Sequence, residues 1–263
     1  MDTTLTPEQR SHFEQWGYVR VGGAFSTSEA AAMRDVVWDA LAERGVDRAD
    51  PTTWSAAAAD HLQHLRPRVE FRAVGSRRTM GAIADLLGAE RAAPRDWGAF
   101  FLLFPGAEQW EVPASAWHVD HDWHSPTWPI HGLKVHAMFG DVAPRAGAMT
   151  IVAGAHHVIP QLLEGHPELV EARAARVRRH VMTSHPYLRE LGRAAPDGSD
   201  RQARIERYVD RTESVLGHEL QVREMTAEEG DVILMHPLTL HTRPVHAGRR
   251  PRFLLNKDLY PQR

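Results

Sequence analysis

Two histidines and one aspartate have the residue types and spacing of a metal site. His118 and Asp120 stand two positions apart, and His241 lies far downstream with Arg252 eleven residues after it. Two imidazoles and one carboxylate that bind one face of a metal leave open positions, and this is the ligand set of non-haem Fe(II) oxygenases. The planar guanidinium of arginine pairs with a carboxylate through two hydrogen bonds, so Arg252 suits a dicarboxylate co-substrate. Together these four residues predict an iron enzyme that consumes a keto acid and oxygen.

The His-x-Asp pair carries little weight without its context. With 17 histidines and 34 acidic residues in 263, about two pairs of the form His-x-Asp or His-x-Glu are expected by chance. The chain has three, which begin at His12, His118 and His166. The pair at His118 is the one that stands where a predicted strand leaves a proline-rich loop. It is also the pair with a downstream histidine and arginine to complete a site, so the context favours His118.

The third ligand has to come from another strand. Residues i and i+2 of a strand point to the same side, so His118 and Asp120 can bind one ion together. Distant strands of a barrel face each other, and His241 then supplies the second imidazole. Its neighbours His236 and His246 are rival ligands, and a histidine in a turn that binds no metal is the alternative interpretation of His241. Spacing alone leaves this choice open.

The first third of the chain has clear signals for the start of helices. Thr6, with proline next and glutamine three residues later, forms a capping box, and Ser26 with glutamate three residues later forms another. A third helix is predicted over roughly 77–87, and residues 17–21 are typical of a short strand. These features predict a helical N-terminal region over about 5–90.

From about residue 97 the apolar pattern changes to that of strands. Lys134 and His136 alternate with apolar neighbours, so they share one face of a predicted strand and could point into a barrel. Glycine-containing turns separate several such segments, which favours a mainly β barrel or jelly roll with flanking helices. A helical block over about 160–215 is interpreted as an insertion, either a lid or a solvated helix face, so one domain is predicted over 1–263. Strands are predicted over 99–104, 133–139, 148–152, 220–225, 232–235 and 252–255.

Composition excludes several classes of protein. The net charge is −3 and no long basic run is present, so neither nucleic acid nor an anionic membrane is a predicted partner. The chain has no cysteine, which excludes disulfides, thiolate metal sites and a catalytic thiol. No apolar run approaches the length of a membrane span and the N-terminus lacks the features of a signal peptide, so a cytoplasmic location is expected. The predicted partner is a small-molecule substrate, and the oligomeric state is left open.

The order of the motifs resembles that of a known family. The chain resembles the phytanoyl-CoA dioxygenase family of Fe(II)/2-oxoglutarate-dependent oxygenases over nearly its whole length, apart from the predicted insertion. The resemblance implies a double-stranded β-helix barrel core of the jelly-roll or cupin type. The segments that carry it are 5–9 leading into 16–19, 117–120, 146–156 and 230–241.

The resemblance also assigns roles to residues. It implies that His118, Asp120 and His241 bind the metal, because the family's distal ligand is the second histidine of the segment that begins at His236. Arg252 falls at the position of the arginine that binds 2-oxoglutarate, and the arginine two residues before it is the alternative. The implied cofactors are therefore Fe(II), 2-oxoglutarate as co-substrate, and O2.

Several residues near the triad are candidates for binding the substrate or co-substrate. Trp117, His121, Trp123 and His136 are predicted to contact the substrate, because loops at a barrel opening carry recognition. The alternative is that the tryptophans belong to the core that caps the barrel. Lys134 is predicted to assist in binding the carboxylate of 2-oxoglutarate, and a solvated lysine at the sheet edge is the alternative.

The resemblance implies hydroxylation of an unactivated C–H bond of a small-molecule metabolite, with release of succinate and CO2. The first alternative keeps these cofactors but ends in desaturation, epimerisation or cyclisation in secondary metabolism. The second belongs to another class of protein: a catalytically inactive barrel that binds a small molecule.

Overall fold

Short helices and antiparallel strands make up the chain. The computed structural model describes residues 4–88, 92–120, 122–194, 201–243 and 245–260. The α-helices in these ranges are α1 (Pro7–Trp16), α2 (Thr27–Ala42), α3 (Ala56–Ala59), α4 (Arg77–Leu87), α5 (Ala155–Leu163), α6 (Ala174–Ser184), α7 (Pro186–Leu191) and α8 (Arg201–Tyr208). The strands are β1 (Tyr18–Val21), β2 (Ala99–Phe100), β3 (Leu133–Met138), β4 (Thr150–Ala153), β5 (Thr212–Val215), β6 (His218–Glu224), β7 (Val232–Met235), β8 (Leu240–Thr242) and β9 (Leu254–Leu259).

The strands form two sheets. One has the order β1-β7-β3-β9-β2 and the other the order β5-β6-β4-β8, and every pairing within them is antiparallel. In the chain, α1 precedes β1, helices α2 to α4 lie between β1 and β2, and α5 to α8 lie between β4 and β5. The predicted mainly β fold with flanking helices is confirmed.

The N-terminal helices begin where the sequence predicts. The Thr6 hydroxyl accepts a hydrogen bond from Gln9 N at 3.2 Å, and Gln9 Oε1 accepts one from Thr6 N at 3.0 Å. The same reciprocal pattern links Ser26 and Glu29 at the start of α2. Each capping box satisfies two backbone groups that a helix end would otherwise leave without partners.

Strand β3 is covered on both faces. Val135 and Ala137 belong to the core that contains Met33 and Val37 of α2. The alternate residue His136 lies on the other face, toward the space between the two sheets. The alternation predicted for this strand is present, and it delivers polar side chains to the interior of the molecule.

The helices after β4 cover the outer face of the smaller sheet. Val152 of β4 and Leu240 of β8 pack in one buried cluster with Val158 of α5 and Val181 of α6. Burial of each such side chain contributes about 1.5–3 kcal/mol. This packing anchors α6 beside the strand that carries His241.

Two strand predictions are wrong in their bounds. The segment over 99–104 is a two-residue strand followed by a single bridge between Leu103 and Arg252. The predicted strand over 252–255 begins only at Leu254, because Arg252 pairs with Leu103 alone and the ladder with β3 starts at the pair of Leu254 and Met138. Arg252 is therefore held by an isolated bridge.

The helical prediction over 160–215 also misses a strand. Its helices end at Tyr208, and β5 pairs with β6 through a two-residue turn at Leu216 and Gly217, whose φ angles are 52° and 81°. Positive φ at both central residues is the type I′ geometry of tight hairpins, which usually has Asn-Gly. Leucine at the first position hid the hairpin.

Among the described residues, no helix is both long enough and apolar enough to cross a membrane.

A glycine outside the metal site provides a test of how closely the sheet is packed. Gly98 has a φ of +89°, and a Cβ at this position would overlap the backbone oxygen of Asn256 on β9. Gly98→Ala should therefore lower the free energy of unfolding by about 3 kcal/mol, since positive φ and overpacking both oppose alanine. Gly45 has a φ of +81° but open space around it, so Gly45→Ala should cost only about 1 kcal/mol. Urea denaturation followed by circular dichroism measures both, and equal losses would contradict the packing argument.

Candidate metal centre

The structure brings the three predicted ligands together. One ligand atom from each of His118, Asp120 and His241 lies within 4.8 Å of the other two. Nε2 of His118 is 3.2 Å from Asp120 Oδ1, and Nε2 of His241 is 3.3 Å from Asp120 Oδ2. Two imidazoles and one carboxylate thus converge on one point, which is the donor set that non-haem Fe(II) prefers.

A backbone pairing fixes the two histidines. His118 N donates to His241 O at 2.8 Å, and His241 N donates to His118 O at 2.9 Å. The Thr242 hydroxyl donates to Ser115 O at 2.7 Å, so the loop before His118 is held against β8 at a second point. His118 lies in a single bridge and not in a strand. The two-residue spacing of His118 and Asp120 therefore places both side chains at the site from a loop and not from the predicted strand.

The remaining ring nitrogens set the tautomer of each histidine. Nδ1 of His118 lies 2.7 Å from the carbonyl of Ala116, and Nδ1 of His241 lies 2.9 Å from the carbonyl of Thr239. A carbonyl only accepts hydrogen bonds, so both Nδ1 atoms donate. Each Nε2 points toward Asp120 and is the atom that would bind a metal, as in most histidine metal sites.

Asp120 is ionised. Burial by itself would raise its pKa, but hydrogen bonds from His118 and His241 and the charges of His241 and Lys134 hold the pKa well below its usual range. The hydrogen bond to Asp120 in turn raises the pKa of His118 against the opposing effect of burial. A permanent carboxylate fits the charge that a divalent metal requires.

The rival histidines have other roles. Nε2 of His236 donates to Thr127 O at 3.1 Å and its Nδ1 accepts from Leu238 N at 3.0 Å. His246 is hydrogen-bonded at both ring nitrogens within its own loop. Neither joins the cluster of metal-ligating groups found in the described part of the chain.

Lys134 lies beside the triad. Its side chain is buried, with 5% exposed, and Nζ forms ion pairs with Asp120 and, at 3.1 Å, with Asp258 Oδ1. Nζ also lies 3.4 Å from Asn256 Oδ1. The alternative of a solvated edge lysine is therefore wrong, and the lysine's contacts are to a predicted metal ligand.

Arg252 is a buried cation that lacks an acidic partner among the described residues. Nη1 donates to Gly147 O at 2.6 Å and Nη2 donates to Phe101 O at 3.2 Å. Nε has no partner. Burial lowers the pKa of the guanidinium to about 10, so it stays charged at neutral pH. The other candidate, Arg250, is exposed and lines a different cavity.

The triad and Arg252 open into one cavity of about 190 Å³, which we call the inner cavity. His136 lines it from β3, is fully buried, and has an Nδ1 atom without a partner. Burial and then the charge of Lys134 hold the pKa of His136 well below its usual range, so the ring is neutral. Besides the triad, the lining includes Phe101, Lys134, His136, Arg252, Leu254 and Asn256.

A second, more open cavity of about 400 Å³ meets the triad, and we call it the outer groove. It shares His118 and Asp120 with the inner cavity and extends to the start of α6. Arg243, which follows β8, lines both cavities. The outer groove is lined by Ala116, His118, Val119, Asp120, Trp123, Ala174, Ala175, Arg178 and Arg243.

The residues predicted to bind substrate lie in different places. His136 lines the inner cavity and Trp123 lines the outer groove. Trp117 lines neither, and it is buried with its indole N–H donating to Pro113 O at 3.0 Å. It therefore fits the alternative of a core tryptophan. His121 lies outside the described residues.

Sequence reasoning did not identify Asn256 or Arg243 as residues of the site. Asn256 lies opposite His136 in the register of β3 and β9, so correct strand pairing could have placed it. Arg243 stands two positions after His241, and that spacing was its only signal.

Several solved structures share this fold at low sequence identity. The epimerase SnoN, solved with Fe3+, alpha ketoglutarate and nogalamycin RO, has 16% identity and a TM-score of 0.53, covering 96% of this chain and 82% of its own. EctD from S. alaskensis in its apoform has 18% identity and a TM-score of 0.54, covering 98% and 78%. The carbocyclase SnoK has 15% identity and a TM-score of 0.51, covering 98% and 86%. These similarities confirm the predicted jelly-roll fold.

Comparison with curated protein sequences gives no match. A family model described as phytanoyl-CoA dioxygenase, however, matches residues 13–252. The match includes the triad and ends at Arg252. It confirms the predicted class of enzyme, a 2-oxoglutarate-dependent non-haem iron oxygenase, together with iron and 2-oxoglutarate as the cofactors of that class. This chain belongs to the phytanoyl-CoA dioxygenase family.

Proposed function

We propose that this protein binds Fe(II) through His118, Asp120 and His241 and hydroxylates an unactivated C–H bond of a small-molecule metabolite. Succinate and CO2 are the products of the co-substrate. The observation that carries the proposal is the inner cavity, in which a buried arginine with no acidic partner among the described residues faces the same space as the triad. We also infer that the whole chain is one catalytic domain.

The arrangement of the triad supports this proposal. All three ligands come from one edge of the inner cavity, where the His118 bridge meets β8. When bound, Fe(II) and 2-oxoglutarate would activate O2, which is the oxidant for attack on a C–H bond. The protein's own contribution is to orient both histidine rings through their Nδ1–H groups and to keep Asp120 ionised.

Arg252 is suited to hold the far carboxylate of 2-oxoglutarate. Gly147 O and Phe101 O fix the plane of its guanidinium, while Nε remains available. A charge-assisted hydrogen bond is strong in such a dry environment, because water does not compete for the donor. His136 and Asn256 place neutral hydrogen-bonding groups in the same cavity.

Lys134 is suited to hold the metal-binding carboxylate in place. It is paired with Asp120 on one side and Asp258 on the other, so the ammonium is anchored independently of the metal. This role differs from the predicted contact with 2-oxoglutarate, and both are compatible with its place in the inner cavity. We favour the positioning role, since both ion pairs tie the ammonium to carboxylates.

The alternative outcome of the same chemistry has specific support. Two of the similar structures are an epimerase and a carbocyclase, so this fold accommodates reactions other than hydroxylation. The position of the substrate's hydrogen atoms relative to the metal decides between them. A non-catalytic barrel is disfavoured, because it would have no use for an intact triad and a buried, unpaired Arg252.

Removal of a metal ligand should abolish the reaction. We expect His118→Ala and Asp120→Ala to reduce succinate formation at least about 100-fold. Loss of a group that only hydrogen-bonds a metal ligand already costs about 10–100-fold in metal affinity or activity, and loss of the ligand itself costs more. The visible charge-transfer band of the anaerobic protein with Fe(II) and 2-oxoglutarate should disappear as well.

His166→Ala is the matched control, since His166 belongs to an exposed His-x-Glu pair. This variant should keep the wild-type band and rate. Wild-type succinate formation in Asp120→Ala would show that the assigned triad is wrong.

Replacement of Arg252 should affect the co-substrate specifically. We expect Arg252→Gln to raise the KM for 2-oxoglutarate about 10- to 100-fold, because hydrogen bonds to charged groups contribute about 1.5–3 kcal/mol. Arg252→Lys keeps the charge but loses the planar fork, so its KM for 2-oxoglutarate should lie between that of the wild type and that of Arg252→Gln. Steady-state kinetics at varied 2-oxoglutarate measure this, with circular dichroism to verify folding.

The exposed Arg250 provides the control for Arg252. Arg250→Gln should leave the KM within about twofold, because it alters an exposed group in another cavity. A larger effect from Arg250→Gln than from Arg252→Gln would reverse the assignment.

A further inference from the structure

The outer groove is the space through which a substrate can reach the metal centre. His118 and Asp120 form its inner end, and α6 forms its outer side. At about 400 Å³ it is larger than the inner cavity of about 190 Å³. Binding of 2-oxoglutarate by Arg252 would fill the inner cavity, so the outer groove is where the primary substrate has room.

The groove is basic. Arg178 reaches it from α6 and Arg243 from the residue after β8, so two separate elements contribute a positive charge. Among the described residues of the lining, Asp120 is the one acidic group, so one negative charge stands against the two positive charges of the arginines. The remaining charge of the groove is positive.

Neither arginine is used by the fold. Within the described ranges, Arg178 and Arg243 form no ion pair and no side-chain hydrogen bond, whereas Arg10, Arg34 and Arg207 are all paired with carboxylates. The neighbours of Arg178 one turn away on α6 are alanine, valine and methionine, so no partner is available along the helix. Two exposed arginines without partners are common on a surface. Two that line the entrance to a metal centre are a recognition feature.

The rest of the lining is apolar. Val119 and Trp123 also line the groove, and both are largely buried. A ligand with an apolar body and one anionic group would match this surface, because the guanidinium fork pairs with carboxylate or phosphate oxygens.

We propose that the primary substrate carries an oxyanion, a carboxylate or a phosphate monoester, that Arg178 and Arg243 bind in the outer groove. The inference rests on the proposed function for the identity of the metal centre. It narrows the substrate class from any small metabolite to a small acid.

A screen of matched compounds tests this proposal. The probes are a library of carboxylic acids and phosphate monoesters, each with its neutral counterpart, the primary amide or the free alcohol. Stimulation of succinate release by the iron-loaded protein identifies hits, and anaerobic calorimetry with Fe(II) and 2-oxoglutarate measures their affinity. We expect each hit to be an anion that binds at least about tenfold more tightly than its neutral counterpart.

Substitution of the two arginines should remove this preference. Arg178→Gln and Arg243→Gln should each reduce the ratio of anion to neutral affinity about tenfold. Arg179→Gln is the matched control, since Arg179 is an exposed arginine on the same helix that does not line the groove. It should leave the ratio within about twofold.

Several outcomes would overturn the proposal. Neutral compounds that bind as tightly as their anionic counterparts would do so. An equal reduction of the affinity ratio by Arg179→Gln and by Arg178→Gln would also do so. If Arg243→Gln raises only the KM for 2-oxoglutarate, Arg243 belongs to the co-substrate site and the proposal is wrong for that residue.

The charge-transfer band of the wild type with Fe(II) and 2-oxoglutarate is recorded without any probe. Its absence contradicts the proposed function, while its presence with no anion preference contradicts only this inference.

Discussion

The metal centre depends on one backbone pairing, the two hydrogen bonds that His118 and His241 exchange. These residues are far apart in sequence, and joining them costs loop-closure entropy that the sheets offset. Strand β8 pairs with β4, so the register of the smaller sheet decides which way the His241 ring points. A slip of one residue would turn the imidazole to the opposite face. The other two ligands lie on a loop, and they gain a fixed position only because this loop is bonded to a strand.

Positive charge is not evenly neutralised in the site, and the cation that lacks an acidic partner among the described residues favours the binding of an anion. Asp120 is balanced by Lys134, which is itself paired with Asp258. Arg252 has only neutral carbonyl partners in the described structure. A buried cation without a counter-ion is costly, and the fold retains it where a carboxylate of the co-substrate would remove that cost. The site is therefore built for a ligand that completes it.

Local signals in the sequence were sufficient for some elements and not for others. The capping boxes at Thr6 and Ser26 lie within four residues, so their geometry could be read directly from the sequence. The alternation of β3 was equally local, because its period is fixed by the pleat. The bounds of β9 and the role of Asn256 depend on which strand pairs with which, and no short segment contains that information. Trp117 was predicted to contact the substrate because loops at a barrel opening carry recognition, but its side chain packs in the core.

Helix α6 shows how an insertion can add recognition without altering the chemistry. Val177 and Val181, one turn apart, are buried against the smaller sheet's cluster. The apolar face they form fixes the rotation of the helix, because i and i+4 lie on one side. Arg178 is next to Val177 and therefore lies about 100° around the axis, at the edge that borders the outer groove.

The ligands of the metal sit on the sheet and its bonded loop, where geometry is constrained. The arginine comes from a helix that can change in sequence while its buried valines keep it in place. Arg178 thus adds a contact from an element that carries none of the proposed metal ligands, whereas Arg243 directly follows the strand of His241.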